Sequence, residues 1–311
     1  MVDKRVRERI VYLNGEFIPE SDVRISLFDY GFQEGYQVFD MTRTFKGRPF
    51  KLKEHVARLF YSLRYARIDP GLSPSQVEKI SLDVLDKNKH LLGPNDDYWI
   101  NQTISAGIGW PQIAPSEKGN VTVIIYCVPL PFENWAKYYK TGVHAVIVST
   151  RRIPSQCVDS RAKVTSRINL QLAQKEAKLV EPIAYALLLD LEGNVTEAPG
   201  LNFFIVKEGK LLTPGPSNIL LGITRQTVIE LARKMGIPVK ECDIQPYNVY
   251  NADEAFYTTT SRVILPVTKI DGLKIGDGTP GPMTKRLLKA FSDKVGVDIV
   301  KQMLSHLKKG N

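Results

Sequence analysis

The fold is decided by the stretch Ser160-Arg161-Ala162-Lys163-Val164-Thr165-Ser166-Arg167-Ile168-Asn169-Leu170, read together with Gly193-Asn194-Val195-Thr196-Glu197-Ala198-Pro199-Gly200-Leu201-Asn202. Lys163 stands between Arg161 and Arg167, and like charges disfavour the ammonium form, so the pKa of Lys163 is expected to be lowered. A neutral amine can attack a carbonyl and form a Schiff base. Spacing alone favours the alternative, an exposed lysine in front of a helix, because most lysines are solvated.

Lys163 also begins a longer series of motifs. The frame Lys-x-x-x-x-x-Asn-x-x-x-Ala-x-x-Glu-Ala ends at Ala177, and Gly-x-Val-x-Glu-x-x-Gly-x-Asn-x-Phe ends at Phe204. Gly222-Ile223-Thr224-Arg225 and Ala252-Asp253-Glu254-Ala255-Phe256 follow in order. From about Asn14 to the last helix, the chain resembles the class IV aminotransferases. These pyridoxal-phosphate enzymes include the branched-chain and D-amino-acid aminotransferases.

Length and composition set the bounds. The chain has 311 residues, which favours two domains, and an apolar content of 43% is enough for a substantial core. It has no apolar run of about eighteen residues, so no membrane-spanning helix is expected. The charged segment at residues 1–8 predicts no secretory signal. Three scattered cysteines predict neither a disulfide framework nor a metal site, and together these features predict a cytoplasmic protein.

The net charge of +9 leaves two interpretations open. One is a basic nucleic-acid-binding protein, which is disfavoured because the lysines are dispersed and no aromatic-basic motif occurs. The other is a solvated surface that attracts anionic ligands such as phosphates and keto acids.

The first domain is expected to be a small α+β domain at residues 1–131. The Asn14-Gly15 dipeptide between two apolar runs predicts a hairpin, and Ser73 followed by Pro74 predicts the start of a helix. Further strands are predicted at 23–27, 38–45, 98–105 and 121–130, helices at 52–68 and 73–89, and loops at 28–35 and 108–119.

Residues 132–141 are expected to be a linker, and residues 142–311 a larger domain. Strands are predicted at 143–149, 183–189, 195–197, 202–206 and 254–259, and helices at 169–179, 224–235, 284–291 and 298–307. The resemblance implies a two-domain fold type IV enzyme similar to D-amino-acid aminotransferase. Its larger domain is then a mixed α/β, barrel-like domain that carries Lys163 and most of the cofactor site.

The resemblance also implies how pyridoxal 5'-phosphate is bound. Lys163 is expected to form the Schiff base and then to move the substrate proton. Glu197 is expected to face the pyridine nitrogen and keep it protonated, the alternative being a surface residue in a turn. Leu220 is expected to pack on the ring face. The phosphate is assigned to Arg58 in Glu-His-x-x-Arg-Leu, to Ile223 and Thr224 at a helix N-terminus, and to Thr260.

Departures from the branched-chain pattern concern the substrate. Arg167 stands near the position of a tyrosine that contacts the phenolic oxygen of the cofactor, and we hypothesise that it donates that hydrogen bond instead. Trp99 and Asn101 replace a tyrosine and an arginine, and Glu34 stands where a tyrosine is usual. Arg43 is either the remaining partner of the substrate carboxylate or a structural ion-pair residue.

The stretch Val38-Phe39-Asp40-Met41-Thr42-Arg43-Thr44-Phe45, with Asp97-Tyr98-Trp99, more closely resembles the (R)-selective amine transaminases. The expected activity is therefore amine transamination with a 2-oxo acid as acceptor. The alternatives are a branched-chain aminotransferase, a D-amino-acid aminotransferase and an aminodeoxychorismate lyase. The resemblance further implies a homodimer. The substrate pocket is expected to contain Glu34, Phe39, Arg43, Trp99, Asn101, Thr260 and Ser261.

Overall fold

The computed structural model describes residues 8–109 and 120–307, and the chain forms two compact units. The first unit runs to Leu130 and also contains Ala162–Ser166, while the second comprises Pro131–Arg161 and the chain from Arg167 onward. These bounds differ from the expected domains in two places. Lys163 belongs to the first unit, and the whole of the expected linker belongs to the second.

The first unit contains a six-stranded antiparallel sheet in the order β2-β1-β6-β5-β3-β4. Its strands are β1 (Ile10–Leu13), β2 (Glu16–Pro19), β3 (Gln37–Phe45), β4 (Arg48–Pro49), β5 (Tyr98–Ser105) and β6 (Thr122–Pro129). The predicted hairpin is confirmed, since β1 pairs with β2 across Asn14 and Gly15, which both have positive φ.

Two helices cover one face of this sheet. The helices of the first unit are α1 (Tyr30–Gln33), α2 (Leu52–Ala66) and α3 (Pro74–Asn88). Val56 and Leu59 of α2 and Val77 of α3 pack in one core with Ile100 and Ile104 of β5. The predicted start of α3 is confirmed, because Ser73 and Gln76 form a capping box.

Two predictions for the first unit need correction. The strand predicted at 23–27 is irregular chain, since Ile25 and Leu27 are 40% and 70% exposed and no sheet neighbour pairs with this segment in the described residues. The loop predicted at 28–35 contains α1, whose first turn is capped by the Asp29 side chain. Of the loop predicted at 108–119, residues 110–119 lie outside the described residues, as do the first seven residues.

Ala162–Ser166 joins the first unit through β3. Phe39 N–H donates to the carbonyl of Lys163 at 3.0 Å, and Thr165 N–H donates to the carbonyl of Gln37 at 3.1 Å. Val38 and Val164 form an isolated antiparallel bridge. The segment therefore extends the sheet beside β3, which explains why the position of Lys163 is fixed by the first unit.

The second unit contains a nine-stranded mixed sheet in the order β12-β11-β10-β13-β14-β7-β8, with β15 paired to β14 and β9 paired to β10. The strands are β7 (Val143–Ile147), β8 (Tyr185–Leu187), β9 (Glu197–Ala198), β10 (Leu201–Lys207), β11 (Lys210–Thr213), β12 (Val239–Glu241), β13 (Glu254–Thr259), β14 (Val263–Ile270) and β15 (Leu273–Lys274). The central strand β14 has no counterpart in the predicted strands. Pro266 makes its sequence untypical of a central strand.

The helices of the second unit are α4 (Tyr138–Thr141), α5 (Ile168–Val180), α6 (Ile223–Lys234), α7 (Pro246–Tyr250), α8 (Pro282–Val295) and α9 (Ile299–Ser305). Helix α5 packs through Leu170, Ala173 and Ala177 on β7 and β8. The expected linker is instead packed structure, because Phe132 and Tyr139 are buried and α4 lies within it.

Within residues 8–109 and 120–307, no helix combines the length and the apolar composition needed to cross a membrane. The same residues contain no cluster of histidine, cysteine and acidic side chains suited to a metal ion. All three cysteines are free thiols.

Candidate active site

Lys163 is held by backbone contacts within the first unit. Its N–H donates to Ser62 Oγ at 3.0 Å, and its carbonyl accepts from Phe39. The side chain is half-buried, and its Nζ lies 4.3 Å from the centre of the Phe39 ring. Arg161 is exposed, and its guanidinium forms an ion pair with Asp159 at 2.6 Å. The lowered pKa of Lys163 stays a prediction.

A buried ion pair lies behind this lysine on the helix-covered face of the sheet. Asp40 is 0% exposed and accepts hydrogen bonds from Arg58 Nε at 2.7 Å and Arg58 Nη2 at 2.8 Å. Its Oδ1 also lies 2.7 Å from His55 Nδ1. Burial alone would raise the pKa of Asp40, but Arg58 and His55 outweigh it and hold that pKa well below its usual range. Burial lowers the pKa of His55.

The predicted substrate residues on β3 and β5 share the other face of the sheet. The register pairs Met41 with Asn101 and Asn101 with Tyr126. Directly paired residues point to one face, and residues two apart in a strand do so as well. Phe39 and Trp99 therefore lie on this face too. The Lys163 amine is on the same side, because it lies over the Phe39 ring.

Two other predicted substrate residues differ in setting. Arg43 is 1% exposed, its Nη2 lies 4.0 Å from Asp97 Oδ2, and its guanidinium lies 4.3 Å from the centre of the Phe45 ring. This is the geometry of the structural ion-pair alternative. Glu34 is exposed at the end of α1, outside the sheet.

Glu197 is the centre of a polar cluster in the second unit. Its side chain is 6% exposed, and Arg152 Nη2 lies 3.2 Å from its Oε1. Its Oε2 accepts hydrogen bonds from Asn202 Nδ2 at 3.0 Å and from Leu220 N–H at 3.1 Å. These donors stabilise the ionised carboxylate in a fixed orientation. Glu197 is therefore a buried carboxylate rather than the surface residue of the alternative interpretation.

The chain beside this carboxylate offers donors for an anion. Helix α6 begins at Ile223, directly after Gly222, which has no side chain to cap the first turn. Ile223 and Thr224 are buried. A helix N-terminus carries partial positive charge and free N–H groups. A Cβ atom at Gly222 would lie 2.1 Å from Asn202 Oδ1, so only glycine fits there.

Thr258 contributes an unused donor on the same face of the sheet. The register pairs Glu197 with Asn202 and Asn202 with Thr258. Within the described part of the chain, Thr258 Oγ1 is buried and makes no hydrogen bond. The unpaired hydroxyl of Thr258 lies beside the Glu197 carboxylate and the open N-terminus of α6. These groups suit a ligand that carries both an anionic group and a basic ring nitrogen.

The remaining predicted residues occupy the ends of elements. The carbonyl of Leu220 accepts from Asn202 Nδ2 at 2.8 Å, which fixes the chain next to Glu197. Thr260 is half-buried and Ser261 buried in the turn between β13 and β14. Arg167 precedes α5, where burial lowers its pKa without making it neutral. Its hydrogen bond to a phenolic oxygen stays a prediction.

Several contributing residues were not predicted. Arg152 lies outside the motifs of the sequence analysis, and only the fold brings it to its partner Glu197. Asp40 and Ser62 likewise carried no signal of their own. Asn202 belongs to the motif that contains Glu197, but the role of its side chain was not inferred.

The first unit offers a half-buried amine, and the second offers an anchored carboxylate beside an open helix N-terminus. These are the groups that a pyridoxal-phosphate enzyme requires. Residues 37–270 match the model of the family described as amino-transferase class IV, and the chain belongs to this family. It is a pyridoxal-phosphate-dependent aminotransferase, and the predicted family, fold class and cofactor are confirmed.

Three relatives illustrate the similarity. A putative branched-chain-amino-acid aminotransferase of Methanocaldococcus jannaschii is 36% identical over 91% of this chain and 95% of the relative. The crystal structure of the Escherichia coli branched-chain amino acid aminotransferase matches with a TM-score of 0.86 and 28% identity, covering 97% of each chain. The branched-chain amino acid aminotransferase of T.th., complexed with N-(5'-phosphopyridoxyl)-L-glutamate, matches with a TM-score of 0.82 and 30% identity, covering 93% of this chain and 95% of the other.

These relatives do not include an (R)-selective amine transaminase, so that part of the resemblance is not confirmed. They favour the branched-chain alternative instead. The alternative of a nucleic-acid-binding protein gains no support from them.

We predict that Glu197→Gln lowers the turnover number about 100-fold, because a neutral amide cannot supply the negative charge that Glu197 is expected to direct at the cofactor ring. The visible absorbance of the bound cofactor should persist, since Lys163 is intact. Glu192→Gln, at an exposed glutamate in the preceding turn, is the matched control and should leave turnover unchanged. Near-normal turnover in Glu197→Gln would contradict the role of this carboxylate.

We predict that Asp40→Asn lowers the free energy of unfolding by about 3 kcal/mol, because the Arg58 side chain, which is 11% exposed, loses the counter-charge of Asp40. The exposed Asp83→Asn, which breaks only a surface pair with Lys79, should change it by less than about 1 kcal/mol. Urea denaturation of both variants measures the difference. Equal stabilities would show that the buried pair contributes nothing.

The acid side of the stability curve tests the same pair. The pKa of Asp40 is lowered in the fold, so its contribution is complete above the unfolded pKa of about 3.9. That contribution is lost as the pH falls from there through the lower pKa in the fold. Asp40→Asn should therefore lose less stability than the wild type below about pH 4.

Proposed function

We propose that the protein transfers the amino group of a branched-chain or similarly apolar amino acid to a 2-oxo acid. The observation that carries this proposal is the face of the first-unit sheet beside Lys163. Phe39, Met41, Trp99 and Tyr126 supply apolar and aromatic surface there, and Asn101 supplies a neutral amide. Such a surface suits an apolar side chain, and relatives with branched-chain names support the same substrate class.

Lys163 and Glu197 carry the chemistry in this proposal. Pyridoxal phosphate supplies an aldehyde that accepts the amino group and a ring that delocalises the electrons of the carbon from which the proton leaves. Lys163 holds the aldehyde carbon and, once released, moves a proton at the α-carbon of the substrate. Glu197 keeps the ring nitrogen protonated, and Arg152 and Asn202 keep that carboxylate ionised and oriented.

We assign the cofactor phosphate to the N-terminus of α6, to Thr258 and to Arg58. The backbone N–H groups of Ile223 and Thr224 begin α6, and the hydroxyl of Thr258 adds to them. Arg58 supplies positive charge, with its orientation set by the two hydrogen bonds to Asp40. Thr260 stays a predicted phosphate ligand.

Asn101 is the group we assign to the substrate carboxylate. Its amide can donate a hydrogen bond to a carboxylate oxygen, whereas the Arg43 guanidinium is buried against Asp97 and Phe45. Ser261 and Glu34 stay predicted substrate residues.

An amine transaminase is the second candidate. The observation that favours it is the neutral side chain of Asn101. Because Asn101 offers no positive charge to an α-carboxylate, it discriminates less than an arginine would against amines that lack a carboxylate. A D-amino-acid aminotransferase would respond fastest to D-alanine in the test below, and an aminodeoxychorismate lyase would transfer no amino group from these donors.

The test is a half-reaction with one amino donor at a time, followed by loss of the visible absorbance of the bound cofactor. L-Leucine should bleach the enzyme faster than D-alanine or either enantiomer of 1-phenylethylamine, because its apolar side chain and its carboxylate both find partners. Lys163→Ala is the control and should not respond. Faster bleaching by (R)-1-phenylethylamine would replace the proposal with the second candidate.

We further propose that the protein is a homodimer that buries an apolar patch of the first unit. Leu27 and Phe32 are 70% and 72% exposed, and Phe28 is 47% exposed. Ile25 and Phe32 line the same surface pocket, so these side chains are neighbours. Clustered large apolar side chains are typical of a surface that a second copy covers. A cytoplasmic location stays a prediction from the sequence.

We predict that Phe32→Asp shifts the molecular mass measured by light scattering from dimer towards monomer, because a buried unpaired carboxylate opposes association. Leu179→Asp is the control, since Leu179 is 88% exposed on α5 and lies outside the patch. An unchanged mass for Phe32→Asp would rule out this surface as the dimer contact.

A further inference from the structure

The second unit contains a cavity that the proposed chemistry does not use. Its volume is about 380 Å³, and its lining includes Trp135, Tyr138, Gln174, Lys178, Tyr185 and Arg262. These residues come from the segment before β7, from α5, from β8 and from the turn before β14.

Arg262 is the charged centre of this cavity. Its guanidinium carbon lies 4.5 Å from the centre of the Trp135 ring and 5.5 Å from that of Tyr185. Its carbonyl accepts a hydrogen bond from the Tyr139 hydroxyl, which fixes the backbone. Within the described residues its Nε is buried without a hydrogen-bond partner. The aromatic rings thus stabilise a cation that has donors left for a ligand.

The charge of the lining has one sign. Arg262 and Lys178 are cationic, and none of the described lining residues is acidic. The acids nearest in sequence to Lys178 are Glu176 and Glu181, and both have partners elsewhere. Glu176 accepts hydrogen bonds from the N–H groups of Ser149 and Thr150. Glu181 binds His144 Nδ1 at 2.7 Å and Lys269 Nζ at 3.1 Å. A cavity lined by two cations and, within the described residues, by no acidic side chain attracts an anion.

The cavity lies on the opposite face of β10 from Glu197. Asn202 points towards Glu197, to which it donates a hydrogen bond. Leu201, the preceding residue of the same strand, lines the cavity. Because successive side chains of a strand point to opposite faces, the cavity and the Glu197 cluster are separate sites.

We propose that this cavity binds a small organic carboxylate with an apolar tail. The guanidinium of Arg262 offers planar N–H groups that match a carboxylate, and Lys178 adds positive charge at the rim. Trp135, Ile183 and Leu201 provide the apolar wall for the tail. A bare anion such as phosphate would leave this wall uncovered.

The proposal is tested by calorimetric titration of the holoenzyme with 3-phenylpropanoate, after borohydride reduction has fixed the cofactor. Comparison probes are the neutral 3-phenylpropanamide and inorganic phosphate. Arg262→Gln should weaken the binding of one equivalent of carboxylate at least about tenfold, because a charge-assisted hydrogen bond is lost. Any equivalent that binds at the catalytic centre should be unaffected.

Helix α5 provides a matched pair that does not risk the fold. Both Lys175 and Lys178 are exposed on this helix, but only Lys178 lines the cavity. Lys178→Gln should weaken binding about threefold, and Lys175→Gln should leave it unchanged. Unchanged binding in both Arg262→Gln and Lys178→Gln would overturn the proposal. Equal binding of the amide, or binding of phosphate alone, would overturn the carboxylate as the ligand.

Discussion

The second unit depends on the burial of one carboxylate, Glu197. A charge that is removed from water must be met by donors at close range, or the fold loses several kcal/mol. Arg152, Asn202 and the Leu220 N–H meet it at 3.0 to 3.2 Å. Each donor constrains its own neighbourhood, so the carboxylate fixes the position of three chain segments at once.

Gly222 shows how far this constraint extends. Asn202 binds Glu197 with its amide nitrogen and the Leu220 carbonyl with the same group, so its Oδ1 has one position. That oxygen fills the space where a Cβ atom of residue 222 would be. The start of α6 is therefore glycine for a packing reason, and the absent side chain leaves the helix N-terminus open to an anion.

In the first unit, successive side chains of β3 point to opposite faces of the sheet, so the buried ion pair lies on one face and the Lys163 amine on the other. Asp40 of β3 points to the helices and binds Arg58 and His55, while Phe39 beside it points to the other face and lies under the Lys163 amine. Ser62 connects the two, since its hydroxyl accepts from the Lys163 N–H and donates to the Arg58 carbonyl. The lysine is thus positioned by the helix that carries the arginine.

Local signals in the sequence were sufficient for some features and not for others. The Asn14-Gly15 turn, the Ser73 cap and the strand Tyr98–Ser105 follow from a few adjacent residues, and they were predicted correctly. Lys163 and Glu197 were identified through motif order. The pairing of Arg43 with Asp97, of Arg152 with Glu197 and of Val164 with Val38 joins residues far apart in the chain, and no local pattern encodes such contacts.

The choice between amino acid and amine donors rests on a difference of interactions at the same face. An asparagine at position 101, in place of an arginine, attracts a carboxylate less strongly. It also avoids a buried positive charge that an amine without a carboxylate would leave unpaired. The apolar row of Phe39, Met41 and Trp99 favours any donor with a large apolar group, whichever of these effects dominates. Hydrophobic burial is common to both donor classes, so it does not decide selectivity. Selectivity depends instead on two free energies: the gain from the hydrogen bond between Asn101 and the carboxylate, and the cost of removing that carboxylate from water.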